Sequence, residues 1–435
     1  MVLVYTDKIT NRIKYTFNLF LGELLKVRFD ITCDKDLFGN YDGVKFSYSR
    51  LPVGNELYFQ SVDLLLERGI ANYKFTFGEH EGLPVFFLVN HKQSALPFDP
   101  FAAGFYLVSR YEEYLPYRKD EHGRFSATES IAYQKNFLQK PMVNIWALTV
   151  GKLLKQKFEG FEFPGTTYTF VPTIDIDAAW AYLHKGFART LGGLVSDILN
   201  LDFHEFSNRL KVTTGMVQDP FETYQFQLEI HRKYNLHPIY FILFANYGQN
   251  DKNIPVRNRK FQTLIKLLAD YADVGIHPSY NSNSSFIRLK DEVSRLSKVL
   301  NREVTKSRQH FLKLQLPVTY RNLTNLDITD DFTMGFAAQP GFRAGICTSF
   351  NFFDLDMDAE AALRVHPFAL MDGTLCDYMN VKASEAMKHI SPLVREIKAV
   401  GGTFISLWHN ESLSDDKRWF GWRQVYQKMI EEALP

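Results

Sequence analysis

Asp175 and Asp177 stand at i and i+2 at the end of the apolar, β-branched run Val171-Pro172-Thr173-Ile174-Asp175-Ile176-Asp177. On an extended strand alternate side chains share one side, so this spacing points both carboxylates the same way. Two acids side by side repel each other unless a cation or a shared proton relieves them. Such a pair suits one metal ligand beside one general base, and two solvated aspartates at a strand end are the plain alternative. Other polar residues follow apolar runs in the same manner. His277 ends Val274-Gly275-Ile276 and opens His277-Pro278-Ser279-Tyr280-Asn281. Arg308 and His310 repeat the i, i+2 spacing in Ser307-Arg308-Gln309-His310-Phe311-Leu312. Arg343 follows Gly341-Phe342, Asp372 follows Leu370-Met371, and His409 ends Phe404-Ile405-Ser406-Leu407-Trp408-His409. One histidine after a strand is an ordinary loop residue, whereas a series of strand ends carrying Asp, His or Arg predicts a shared site.

The elements that must position these residues change character near residue 165, where Phe161–Thr167, with Pro164 and Gly165, reads as a short linker. Residues 1–165 are a smaller α/β domain of unknown role, with strands over Val2–Tyr5, Val44–Tyr48 and Val85–Leu88 and helices over Ile9–Leu25, Pro100–Leu115 and Val143–Phe158. Within them, Ser109–Tyr114 and Asp120–Phe125 are dense in charge and aromatic rings and read as a solvated face, with an interaction surface as the other reading. Residues 166–435 alternate strands and helices. The strands are Thr167–Asp175, Pro238–Phe244, Val274–His277, Ser307–Leu312, Asp327–Thr329, Gly341–Ile346, Val365–Leu370 and Thr403–Leu407. The helices are Pro220–Tyr234, Arg259–Tyr271, Phe286–Asn301, Ala383–Val400 and Trp422–Ala433. Repeated strand–helix units imply a parallel sheet with helices outside. No glycine-rich nucleotide loop follows any strand, so an α/β fold closed as a barrel is preferred to a doubly wound sheet, its site at the C-terminal strand ends. The excursion Ala181–Asp219 reads as a packed helical insertion; a cover for the cleft or a membrane contact are the other readings.

With 435 residues, 46% apolar and 23% charged, the chain is long enough for two globular domains. A formal charge of +1 gives no reason to expect nucleic acid or anionic lipid as the main partner. Cys33, Cys347 and Cys376 lack metal spacing and cannot all pair, which fits a reducing compartment. Met1–Asp30 has no continuous apolar signal segment, Phe17–Lys26 is broken by Glu23, and no run is long enough to span a bilayer. A cytoplasmic protein is expected.

The order of these strand ends resembles the polysaccharide deacetylase family, the NodB-homology carbohydrate esterases, over roughly residues 168–435. Thr173-Ile174-Asp175-Ile176-Asp177 is similar to that family's first motif, which makes Asp175 the base and Asp177 a metal ligand. His277 matches the second motif, with Asn281 where its second histidine belongs. Arg308 matches the arginine that orients the base, with Arg343 as competitor. Ser406-Leu407-Trp408-His409 matches the strand ending in the catalytic acid, and Asp372 is the carboxylate to pair with it. The N-terminal part resembles the companion domain that precedes such barrels in some Bacteroidetes proteins. The resemblance implies an irregular (β/α) barrel of seven or eight strands, a divalent metal and removal of acetyl groups from an amino sugar or glycan.

The residues allow that chemistry on their own terms. Zinc or a similar ion takes three protein ligands and keeps a position open for water. Asp177 and His277 supply two; the third is His310, or Asn281 through its weaker carbonyl oxygen. Water attacks an amide or ester carbonyl while Asp175 takes its proton, Arg308 keeps Asp175 ionised and aimed, and His409 protonates the departing amine or alkoxide. Arg343, Tyr280 and Trp408 are expected at the substrate, and Trp408 and Asn410 beside His409 suit an exposed cleft rather than a core. A degenerate barrel that binds carbohydrate or protein without hydrolysing it is the second reading, resting on Asn281. In the cytoplasm, a lipid-linked or nucleotide-linked sugar is a more accessible substrate than wall polymer.

Overall fold

Val2–Thr6 is buried along its whole length and forms β1. In the computed structural model, which describes residues 1–435, β1 sits inside a four-stranded parallel sheet. Its neighbours are β2 (Phe29–Thr32) on one side and β3 (Lys45–Ser49), then β4 (Leu57–Gln60), on the other. A separate hairpin pairs β5 (Gly78–His80) with β6 (Leu83–Val85). The helices of this part are α1 (Asn11–Phe17), α2 (Lys35–Gly39), α3 (Pro100–Val108), α4 (Ile131–Gln134) and α5 (Met142–Lys157). Helix α3 begins where Asp99 accepts from the amides of Phe101 and Ala102, with Pro100 at its first position. Five rings, Phe17, Phe20, Phe46, Tyr48 and Phe59, surround Phe101 at centroid distances from 4.9 to 5.9 Å. Many of the abundant aromatics are therefore core.

The second sheet has nine strands: β7 (Thr169–Ile176), β8 (Ile239–Ile242), β9 (Asp273–Ile276), β10 (Lys306–Ser307), β11 (Asp330–Asp331), β12 (Phe350–Asp354), β13 (Ala359–Val365), β14 (Leu370–Met371) and β15 (Thr403–His409). Their order is β12-β13-β11-β10-β9-β8-β7-β15-β14; only β12 is antiparallel to its neighbour. Between the strands run α6 (Phe187–Leu199), α7 (Phe203–Thr213), α8 (Tyr224–Lys233), α9 (Arg259–Tyr271), α10 (Phe286–Leu300), α11 (Val318–Thr324) and α12 (Ala386–Ala399), with α13 (Trp422–Ala433) last. Helix α9 shows why they pack: Asn258 caps it, and Phe261, Leu264, Ile265 and Leu268 bury one face. Pro172 is tolerated in β7 because the ladder to β8 begins one residue later, at Thr173 opposite Ile239. Past the ends of the parallel run, the amide of Phe368 donates to the Met334 carbonyl (3.1 Å) and that of Gly341 to the Ala369 carbonyl (2.9 Å).

Strand alternation sorts the side chains of β15. Ile405 and Leu407 join a small core cluster with Phe241, Leu312, Phe332, Phe368 and Met371, whereas Phe404 and Trp408 join the main core. That main core runs from Val2 to Ala433 and draws residues from both sides of residue 165.

Several local expectations need correction. The segment Ser307–Leu312 leaves the sheet after Ser307, because Phe311 and Leu312 have φ of 59° and 53°. The run Gly341–Ile346 is a turn segment with positive φ at Gly341 and Gly345, not a strand. The strand expected at Asp327–Thr329 lies at Asp330–Asp331, and Val365–Leu370 is the gap between β13 and β14. The Ala181–Asp219 excursion is helical, as α6 and α7, yet it is not packed on its outer side: Phe187 is 84% exposed and Leu199 77%, with Leu191, Val195, Ile198, Leu201 and Phe203 also exposed. Ser109–Tyr114 is not a solvated face either. Arg110, Glu112 and Glu113 are buried and ion-paired, and Glu113 pairs in turn with Arg343. No helix is long and apolar enough to cross a membrane.

Candidate active site

The residues at the C-terminal strand ends converge. Asp175, facing the same side of β7 as Thr173, is buried and accepts from Arg308 Nη1 at 2.8 Å. The Arg308 guanidinium is fully buried, donates from Nε to the Phe332 carbonyl (3.0 Å), and lies over the Phe241 ring at 4.5 Å. His277, immediately after β9, puts Nδ1 2.5 Å from the Arg308 carbonyl oxygen. A carbonyl only accepts, so Nδ1 carries a proton and Nε2 is the nitrogen turned to the aspartates. That Nε2 is 3.2 Å from Asp177 Oδ1 and 3.7 Å from Asp175 Oδ2. His310, past β10, contacts Asp251 Oδ1 through Nδ1 (2.9 Å) and reaches Asp177 Oδ2 with Nε2 (3.4 Å).

Ligand atoms of Asp177, His277 and His310 lie within 4.8 Å of one another. The donor set fits a divalent ion: one carboxylate and two imidazoles, each imidazole fixed at its other nitrogen by a carbonyl or carboxylate. Asp177 Oδ1 is buried and makes no hydrogen bond in the protein, which is the kind of atom a cation would satisfy. Burial works against charge on Asp177, but His310 and His277 outweigh it and hold the carboxyl well below the usual range. Burial likewise opposes charge on His310, and Asp177 and Asp251 push it up to about 9.

His409 closes the ring of polar groups. Its Nδ1 is 2.8 Å from Asp372 Oδ1, its own amide donates to Asp372 Oδ2 at 2.7 Å, and Nε2 stands 3.8 Å from Asp177 Oδ2. Burial again opposes charge, yet Asp372 and then Asp177 and Asp175 hold the imidazole well above its ordinary value. These groups floor a cleft of about 330 Å³ whose walls include Arg124, Phe311, Met371, Arg418 and Trp419.

Comparison with known proteins adds the following. A family of unknown function, DUF7033, matches residues 2–159. No curated protein matches the chain. Among solved structures, one from Mycobacterium smegmatis described as a polysaccharide deacetylase is similar at 13% identity, over 62% of this chain and 86% of its own, with a TM-score of 0.41. The PuuE allantoinase is similar at 10% identity, over 62% and 84%, with a TM-score of 0.39. A CE4 family pseudoenzyme from Bacillus anthracis is similar at 11% identity, over 61% and 62%, with a TM-score of 0.30.

The structure brings Asp175, Asp177, His277, Arg308, His310, Asp372 and His409 together and leaves the other expected residues outside. Arg343 is buried and bidentate to Glu113 (2.7 and 2.9 Å), so it meets no substrate. Trp408 is fully buried, its ring tilted against that of Tyr426 and its indole nitrogen donating to the Met429 sulfur, because odd and even residues of β15 face opposite ways. Tyr280 sits one layer behind the cleft, its ring 5.3 Å from that of Phe311. Asn281 is exposed and lies outside the cleft wall. Asp251 and Arg124 escaped the sequence reading. Asp251 lies in the loop after β8, which the strand-end rule would have covered had it been carried beyond the first residue of each loop. Arg124 lies in the charged run Asp120–Phe125 that reads as a solvated face, yet it is buried and bonded to Asp120 and Phe311.

Proposed function

We propose that this chain is a metal-dependent hydrolase that removes acetyl groups from an amino sugar or glycan by cleaving an amide C–N bond. The observation that carries the reading is the convergence of Asp177, His277 and His310 beside an aspartate, Asp175, already held by an arginine. In this reading Asp177, His277 and His310 hold the ion, zinc by its donor set. A divalent ion there supplies Lewis acidity, polarising the acyl oxygen and acidifying a water molecule. Asp175 takes the proton of that water as it attacks the carbonyl carbon, and Arg308 keeps Asp175 ionised and aimed. His409 delivers its Nε2 proton to the departing nitrogen as the C–N bond breaks, while Asp372 holds Nδ1 and the ring plane. Acetate and a free amine leave. The cleft's volume of about 330 Å³ suits a sugar unit.

Two structural readings accompany this one. The parallel run closes as an irregular barrel, supported by the bonds from Phe368 to Met334 and from Gly341 to Ala369. Residues 1–165 and 166–435 are two units, supported by their separate sheets.

The test is metal analysis of the purified protein together with acetate release from N-acetylated amino sugars and oligosaccharides. Bound zinc or a similar ion, and acetate release lost by two to four orders of magnitude in Asp175→Asn with metal retained, are expected. A metal-free protein that binds glycan equally well with and without Asp175→Asn would make it a binding module.

A further inference from the structure

His310 is followed by two residues in the left-handed region, Phe311 (φ 59°) and Leu312 (φ 53°). Neither is glycine, and residues with a Cβ persist there only where their surroundings hold them. Leu312 is held by burial against the small core cluster. Phe311 packs edge-on against Tyr280 at 5.3 Å between ring centroids and is also held from the far side of residue 165. Arg124 Nη1 donates to the Phe311 carbonyl at 2.7 Å, and the His122 ring packs edge-on against the Phe311 ring at 4.8 Å between centroids. Arg124 is itself fixed: Nε donates to Asp120 Oδ2 at 2.6 Å and Nη2 to the Tyr378 hydroxyl at 3.3 Å. Asp120 Oδ1 also accepts from the amides of His122 (2.9 Å) and Arg124 (2.8 Å), which closes the turn that carries both side chains.

We propose that Arg124, with His122 beside it, is a positioning residue for the candidate metal ligand His310, so that the site is incomplete without residues 120–124. The inference rests on the metal-site reading above. The C-terminal sheet fixes His310 at its amide, through the Pro278 carbonyl (3.2 Å), and at Nδ1, through Asp251. The turn that follows is closed locally, by the Leu312 amide on the Gln309 carbonyl (2.9 Å) and the Lys313 amide on the His310 carbonyl (3.3 Å), but neither bond reaches the Phe311 carbonyl. The Phe311 carbonyl is held by Arg124, and releasing it loosens the left-handed turn at Phe311 and Leu312 and carries the adjoining His310 imidazole away from Asp177. Arg124 touches no ligand atom, so its effect is on geometry.

The test uses the full chain, with Zn²⁺ affinity by calorimetry and the visible absorption of bound Co²⁺ as readouts. Arg124→Met weakens Zn²⁺ binding ten- to hundredfold and changes the Co²⁺ bands, the range for removing a group that orients a ligand. Arg124→Lys keeps one donor for the Phe311 carbonyl and recovers most of the affinity. His122→Ala weakens binding by about tenfold and carries the test if Arg124→Met fails to fold. Wild-type affinity and an unchanged Co²⁺ spectrum in a folded Arg124→Met, or in His122→Ala if it alone folds, overturn the inference and leave the metal site standing. A wild-type protein that binds neither ion overturns the metal-site reading and this inference with it.

Discussion

Buried histidines in this protein differ by the partner each one has. His310 and His409 face carboxylates and are raised, whereas His231 faces only the Tyr426 hydroxyl at 2.6 Å and is pushed by burial down to about 4. Its Nδ1 has no partner, so a proton there would be a buried, unpaired charge. The folded value lies below the unfolded 6.5, so between them the unfolded chain binds more protons and stability falls as pH drops. At pH 5 the loss is about 2 kcal/mol. Asp99, raised by burial to about 6, contributes a slope of opposite sign that a His231 variant shares. Denaturant unfolding of His231→Gln and wild type at pH 7 and pH 5 is therefore expected to give a smaller acid-induced loss in the variant. An equal loss in both would mean that His231 is not buried neutral.

At the scale of elements, the period of two decides what a strand end offers. Asp175, Ile405, Leu407 and His409 reach the inner side of the sheet, whereas Ile174, Ile176 and Trp408 feed the main core. Trp408→Ala is expected to destabilise the fold by about 3–5 kcal/mol while a folded fraction keeps its metal affinity, as for a core truncation. Lost metal or glycan binding without lost stability would return Trp408 to the cleft. The alternation was legible in Leu407-Trp408-His409, because neighbours on a strand cannot both face one cleft. Helices α9 and α13 were legible to their ends, since each shows one apolar face at helical spacing. The two-residue strands β10 and β11 were not, because their boundaries follow from pairing with distant neighbours rather than from local pattern.

Over the whole molecule, one hydrophobic core spans both sides of residue 165, and the buried Glu113–Arg343 pair ties them together. Calorimetric unfolding is accordingly expected to show one main transition, with Arg343→Met lowering its midpoint because it leaves Glu113 with Arg110 alone. Two well-separated transitions would mean that the two parts unfold independently. The same contact explains why the charged segment before residue 165 misled as sequence. Ser109–Tyr114 has the composition of a solvated face, and nothing local shows that Arg343 lies opposite.

The sequence by itself determined that an α/β chain would carry Asp175, Asp177, His277, Arg308, His310, Asp372 and His409 near strand ends. Side-chain period, apolar runs and residue chemistry are local properties, and these positions follow from them. Tertiary structure decided which of those residues meet. It put His310 rather than Asn281 beside Asp177, turned Arg343 towards Glu113, and laid Arg124 against Phe311. Those outcomes depend on distances between segments far apart in the chain, which no local pattern encodes.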